Sequence, residues 1–240
     1  MYYIGLMSGT SLDGIDVALV EIKPSNSTHL IDFACIPFEP ELKSRLHELS
    51  HSTLINIETL GQTGIELAKL CAESILSVLQ KNSIESSNVK AIGSHGITIR
   101  HRPEASFPFT MQITDANTLA ALTSIDVVDD LRGMDMACGG QGAPLVPMFH
   151  QSLLQSDDAN LQRNGIFLNL GGIANITVIQ SAQPLIGYDT GPANTLLNHW
   201  CQLHLGQEFD RDGAWAASGT VLTELLDNML QDDYFALDYP

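Results

Sequence analysis

Tyr2-Tyr-Ile-Gly-Leu-Met-Ser-Gly-Thr-Ser-Leu-Asp-Gly-Ile-Asp-Val-Ala-Leu-Val-Glu-Ile22 decides the fold. Residues 2–8 are apolar and β-prone, 15–22 are apolar again, and glycines and hydroxyls separate them. That is a strand, a glycine-rich turn and a second strand. A third strand is expected over 30–38, after turn chemistry at 24–28. The pattern recurs later. Ile166-Phe-Leu-Asn-Leu-Gly-Gly172 is a buried-type strand ending in glycines, 173–179 returns as a second strand, and 185–188 is a third. Such a recurrence predicts an α/β protein of two similarly built lobes around a cleft. The expected boundaries are 1–163 for the first lobe and 164–240 for a second, incomplete one.

Helices are expected at 41–49, 58–79, 115–122, 143–155 and 193–205, and further strands at 89–93 and 125–129. The longest helix places Leu60, Leu67, Cys71, Ile75 and Leu79 on one face. Pro144 suits the first turn of its helix, where a missing N–H costs nothing. Hydrophobic residues make up 44% of the chain and charged residues 16%, which excludes disorder. Eleven Lys and Arg against 28 Asp and Glu leave a net charge of −17, which repels nucleic acid and anionic membrane. The uncharged stretch 164–188 is long enough to span a bilayer, but Gly171-Gly172, Asn175, Gln180, Gln183 and Pro184 break it into short β-runs. The four cysteines form no Cys-x-x-Cys pair and suit a reducing cytoplasm.

Three glycine turns carry candidate chemistry. Met7-Ser-Gly-Thr-Ser-Leu-Asp-Gly14 offers backbone N–H groups and the hydroxyls of Ser8, Thr10 and Ser11 to phosphate oxygens. Asp13 or Asp16 can hold a divalent ion there, directly or through water; a plain hairpin turn is the competing reading. Cys138-Gly-Gly-Gln-Gly-Ala-Pro144 precedes a helix and reads equally as an anion site or as tight packing. Asn169-Leu-Gly-Gly-Ile-Ala-Asn175 mirrors the first turn. Neither a Walker A sequence nor a dinucleotide fingerprint occurs.

Gly187-Tyr-Asp-Thr-Gly-Pro192 places Asp189 at a strand end before a helix, as a general base or as an N-cap. Asp-Thr-Gly is also the aspartic-protease tripeptide, but it occurs once and that chemistry needs two. His95, Thr98, Arg100, His101 and Arg102 crowd a post-strand segment that can line a polar ligand site or form a surface loop. Arg132 stands among Asp129, Asp130 and Asp135, paired or held ready for an anion. Eight carboxylates between residues 208 and 238 read as a solvated face, with 210–215 a possible structured loop.

Five segments together resemble the anhydro-N-acetylmuramic acid kinase family: residues 5–17, Gly93-Ser-His-Gly96, Gly139-Gly-Gln-Gly-Ala-Pro-Leu-Val-Pro147, 169–175 and 187–192. They occur in the family's order and span the chain. The resemblance implies an actin-like, ribonuclease-H-like sugar kinase that acts as a cytoplasmic homodimer in murein recycling. Water opens the 1,6-anhydro ring of anhydro-N-acetylmuramate and ATP phosphorylates the released O6, giving N-acetylmuramate 6-phosphate. By the resemblance, Gly9, Thr10, Ser11, Leu12, Asp13, Gly14, Ile15 and Asp16, with Gly171 and Gly172, hold the nucleotide, and Asp13 serves Mg²⁺. His95, Thr98 and Arg132 bind the sugar, and Asp189 is the catalytic base. Two positions depart from the pattern: Ile97 stands where the family carries Gln, and Leu131 where it carries Phe. The family's chains also continue past residue 240, so an N-terminal portion is expected; a non-catalytic nucleotide- or sugar-binding remnant is the alternative.

Overall fold

A computed structural model describes residues 1–9, 12–23, 27–154 and 164–237. The chain divides into two compact units, Met1–Arg163 and Asn164–Pro240.

In the first unit the chain runs through β1 (Tyr2–Met7), β2 (Gly14–Ile22) and β3 (Thr28–Pro37), then helices α1 (Pro40–His51) and α2 (Ile57–Lys81). It continues through β4 (Val89–Ser94), a hairpin of β5 (Ile97–Arg102) and β6 (Phe109–Ile113), α3 (Ala116–Thr123), β7 (Val127–Val128), α4 (Gly133–Ala137) and α5 (Pro147–Leu154). Five strands form a mixed sheet in the order β3-β2-β1-β4-β7. The first three pair antiparallel, while β1–β4 and β4–β7 pair parallel.

Alternation builds the core face of this sheet. Ile15, Val17 and Leu19 of β2 are buried, as are Ile4 and Leu6 of β1. Helix α2 supplies Leu67, Cys71, Ile75 and Leu79 from the expected face, with Leu60 packed at its rim. Each such side chain contributes about 1.5–3 kcal/mol by leaving water. Asn56 starts α2 by accepting from the N–H groups of Glu58 and Thr59 at 2.8 and 3.2 Å.

Two expectations change here. The polar segment after β4 is no surface loop but strand β5, because Ile97 and Ile99 alternate with Thr98 and Arg100 and both isoleucines are buried. The helix expected from 143 starts at Pro147 instead. Val146 precedes a proline and so disfavours helical backbone, and its carbonyl accepts the first helical bond from the His150 N–H at 3.0 Å. The expected helix end at Gln155 lies outside the described residues.

The second unit holds an antiparallel three-stranded sheet, order β10-β9-β8, from β8 (Gly165–Leu170), β9 (Ile173–Ile179) and β10 (Ile186–Pro192). Helices α6 (Asn194–Leu205), α7 (Ala214–Ala217) and α8 (Thr223–Met229) follow. Strand, glycine turn, strand, strand therefore does recur, at 2–37 and at 165–192. Among the described residues of this unit only Ala174, Thr177, Ile179 and Cys201 are buried. Ile166, Leu168 and Leu170, alternating along β8, are each more than half exposed. No helix among the described residues is long and apolar enough to cross a membrane.

Candidate active site

The β1–β2 turn is held from within. Ser8, buried, donates its hydroxyl to the Gly14 carbonyl at 2.7 Å, and the Leu12 N–H donates to the Gly9 carbonyl at 3.1 Å. Leu12 takes a left-handed φ of 54°, and the side chains of Leu12 and Ile15 are both buried. Gly14 is dictated by crowding: a Cβ there would lie 2.2 Å from the Ile36 carbonyl oxygen of β3. Leu12, Gly14 and Ile15 thus have only backbone to offer a ligand. Asp13 is exposed and its Oδ1 takes the Lys43 ammonium at 2.9 Å. Asp16 lies on β2 opposite Met7 and Cys35, and its hydrogen bond to the Cys35 thiol, with burial adding, pushes that thiol's pKa up. Thr10 and Ser11 lie outside the described residues.

Beside this turn is a cavity of about 240 Å³ whose walls include Gly9, Leu12, His95, Ile97, Thr98 and Arg132. All three residues expected at the sugar meet there. His95 ends up buried just past β4, and its proton is fixed by its neighbours. Nδ1 faces the Gly96 carbonyl at 2.8 Å, which only accepts, so Nδ1 carries the hydrogen. Nε2 faces the Arg132 Nε–H at 2.8 Å, which only donates, so Nε2 offers its lone pair. The ring is neutral. Burial holds its pKa below the ordinary 6.5, the Gly96 bond opposes that, and the Arg132 charge adds to it.

Arg132 also donates to the Gly142 carbonyl at 2.6 Å. Two of the three carboxylates expected around Arg132 accept from backbone: Asp130 from the Gly133 N–H at 3.1 Å and Asp135 from the Gly142 N–H at 2.7 Å. The 138–144 loop therefore wraps Asp135 and Arg132, which favours packing over anion binding by its own amides.

Two lining residues had no sequence signal, Ser50 and His51. They end α1, and Arg100 fixes them. From β5 its guanidinium donates to the carbonyls of Leu49 (2.8 Å), Ser50 (3.0 Å) and Ser52. Arg100 is thus a C-terminal clamp on α1.

In the second unit Asp189 lies inside β10, not beyond its end, and is exposed. It does not cap α6, whose N-cap is Ala193. Strand register places it opposite Asn175, which in turn faces Asn169 on β8. The three form one polar row across the sheet. The Gly171 and Gly172 carbonyls accept from the N–H groups of 193–195 at 2.9–3.1 Å, which ties the β8–β9 turn to the start of α6. Gly191 is required too: its φ is 134°, and a Cβ would sit 3.1 Å from the Tyr234 hydroxyl. The 210–215 segment is structured, since the Asp210 carboxylate accepts from the N–H groups of Trp215 and Ala216, both at 2.9 Å.

The family model for anhydro-N-acetylmuramic acid kinase matches residues 1–240. The chain belongs to that family. Curated anhydro-N-acetylmuramic acid kinases from Aliivibrio fischeri and from Coxiella burnetii (strain Dugway 5J108-111) are 47% and 46% identical to it, each over 99% of this chain. One from Vibrio vulnificus (strain CMCP6) is 42% identical over the same share. The chain spans 63–64% of the length of these curated relatives. Among solved structures, a reductive activator for a corrinoid, iron-sulfur protein aligns with 80% of this chain and 30% of its own, at 14% identity and a TM-score of 0.42. The anhydro-N-acetylmuramic acid kinase match reaches both units, so the cavity wall of the first and the polar row of the second lie within it.

Proposed function

We propose that the full-length gene product carrying this chain is a kinase that opens the 1,6-anhydro ring of anhydro-N-acetylmuramate with water and phosphorylates O6, yielding N-acetylmuramate 6-phosphate. The observation that carries the reading is the family match over every residue, which includes Asp189 and the walls of the 240 Å³ cavity. The reading assigns sugar binding to Arg132, Thr98 and His95, and nucleotide binding to the Gly9–Asp16 turn and to Gly171 and Gly172. ATP supplies the phosphoryl group when bound. Asp189, exposed at the end of its polar row, takes a proton from the water that attacks the anomeric carbon. The C1–O6 bond breaks and O6 accepts the phosphoryl group. Orientation and charge neutralisation are the protein's share of such a transfer.

No cluster of three or more His, Cys, Asp or Glu gathers among the described residues. Mg²⁺ bound mainly through substrate phosphates needs only one or two carboxylates. Asp13 fits that limited role: it is accessible and one oxygen is already turned to a cation, Lys43. The mixed sheet, three antiparallel strands followed by two parallel ones, supports the actin-like reading, with 164–240 as part of a second lobe. A homodimer working in the cytoplasm in murein recycling belongs to the same proposal.

The test is ATP-dependent formation of the sugar phosphate by the full-length gene product. Asp189→Asn is expected to lower kcat by at least about 10²-fold. Absence of sugar phosphate, or undiminished turnover in the variant, would sink the reading.

A further inference from the structure

The Thr98 hydroxyl is set up from the strand beside it. Alternation along β5 buries Ile97 and Ile99 in the core and leaves Thr98 between them on the other face, half-buried on the wall of the 240 Å³ cavity. Its cross-strand partner on β6 is Gln112. The Gln112 side-chain amide donates to the Thr98 hydroxyl at 3.2 Å and to the Thr110 hydroxyl at 2.7 Å. Gln112 and Thr110 line a different cavity, of about 210 Å³.

Which end of the amide faces the two hydroxyls follows from Thr110. A hydroxyl has one hydrogen to give. The groups that can take it, the Arg100 carbonyl at 3.4 Å and the His101 Nδ1 at 3.1 Å, are not Gln112. Thr110 therefore accepts from Gln112, which turns the amide nitrogen and not its oxygen toward both threonines. Thr98 then accepts from Gln112 as well, and its own hydrogen cannot point there. Among the described residues no acceptor takes that hydrogen.

We propose that Gln112 is a positioning residue for sugar binding: its amide N–H occupies the Thr98 oxygen and so keeps the Thr98 hydrogen for an acceptor oxygen of the sugar. The inference rests on the anhydro-sugar kinase reading and extends it to a residue outside all five segments that carry the resemblance. Gln112 acts through Thr98 and not by touching the sugar. Ile97, buried beside Thr98, offers the cavity only apolar surface, so Thr98 is the polar group that β5 presents there.

The experiment is steady-state kinetics of the full-length gene product, varying anhydro-N-acetylmuramate and ATP separately. It compares the unaltered protein with Thr98→Val, Gln112→Glu, Gln112→Met and the Thr98→Val/Gln112→Glu double variant. The carboxylate of Gln112→Glu only accepts, so it draws the Thr98 hydrogen away from the cavity. Thr98→Val and Gln112→Glu should each raise the sugar KM about three- to tenfold, the worth of one neutral hydrogen bond, with kcat and the ATP KM unchanged. The double variant should match the single ones, because all three lose the same bond. Gln112→Met, of similar length but without a strong acceptor, should raise the sugar KM less than Gln112→Glu. An unchanged sugar KM in either Thr98→Val or Gln112→Glu, additive rises in the double variant, a rise confined to the ATP KM, or an equal cost in Gln112→Met would each overturn the assignment. A Gln112→Glu protein that does not fold would make Gln112 a structural residue and overturn it too. No turnover of the sugar by the unaltered protein would instead overturn the kinase reading itself.

Discussion

His95 has its protonation state written by two neighbours, a carbonyl on one nitrogen and a guanidinium on the other. The sign of its effect on stability follows. Its folded pKa lies below 6.5, chiefly through burial. Above pH 6.5 the folded and unfolded forms are both neutral, and its contribution to stability is fully present. As the pH falls, the unfolded chain takes the proton first and stability is lost, until the pH passes below the folded pKa. Arg132 beside the ring, His51 on the shared cavity wall, and Asp129 and Asp130 on a neighbouring cavity are the charged or titratable groups around it. The urea midpoint of the unaltered protein should fall more between pH 7 and pH 5.5 than that of His95→Gln, which keeps an acceptor for Arg132 but cannot titrate. Equal slopes would show that His95 does not titrate as described. At this scale the sequence was informative where polar residues crowd together: His95, Thr98 and Arg132 stood out and do share a cavity. Ser50 did not, because a serine at the end of an amphipathic helix is indistinguishable from solvated surface. Its position comes from Arg100, fifty residues away in sequence.

Elements with strong periodicity were legible, and elements with mixed signals were not. Helix α2 and strands β1, β2 and β9 fall where their apolar spacing puts them. The β5–β6 hairpin was hidden because Arg100, His101 and Arg102 look like loop, although Ile97 and Ile99 keep a period of two. β10 runs through Asp189 to Pro192 because pairing with β9 outweighs the turn-like Asp-Thr-Gly-Pro composition. Packing between strands gives a sharp prediction at this level. Gly14→Ala drives a methyl group onto the backbone of β3 and should cost more than about 3 kcal/mol in urea denaturation. Gly5→Ala, in the neighbouring strand with nothing within 4 Å of the added carbon, should be neutral or stabilising by up to about 1 kcal/mol. A similar loss in both would mean that β3 is not pressed against Gly14.

For the whole molecule, the net charge of −17 is compatible with a phosphate ligand only if backbone N–H groups and a bound cation do the holding, since the basic residues are few. The two units differ sharply in burial. The buried core cluster of the first draws on β1, β2, β4, α1 and α2, while four residues are buried in the described part of the second. Hydrogen exchange should therefore be slowest in β1, β2, β4 and α2 and much faster in α6 and α8. Equal protection across both units would contradict this distribution of stability. The recurrence of strand and glycine turn is legible in the sequence, but how little the second unit buries is not, because side-chain patterning signals which face is apolar and not what covers it. One consequence attaches to β8. Among the described residues its outer edge has no neighbouring strand, it exposes Ile166, Leu168 and Leu170, and no charged side chain occurs anywhere between Asn164 and Tyr188. Native sheets blunt such edges with lysines, prolines or bulges, and flank sticky strands with gatekeeper charges. β8 itself carries no lysine, proline or bulge, and Arg163 is the one charge close to its start, so an uncovered β8 is an edge that a further strand can extend.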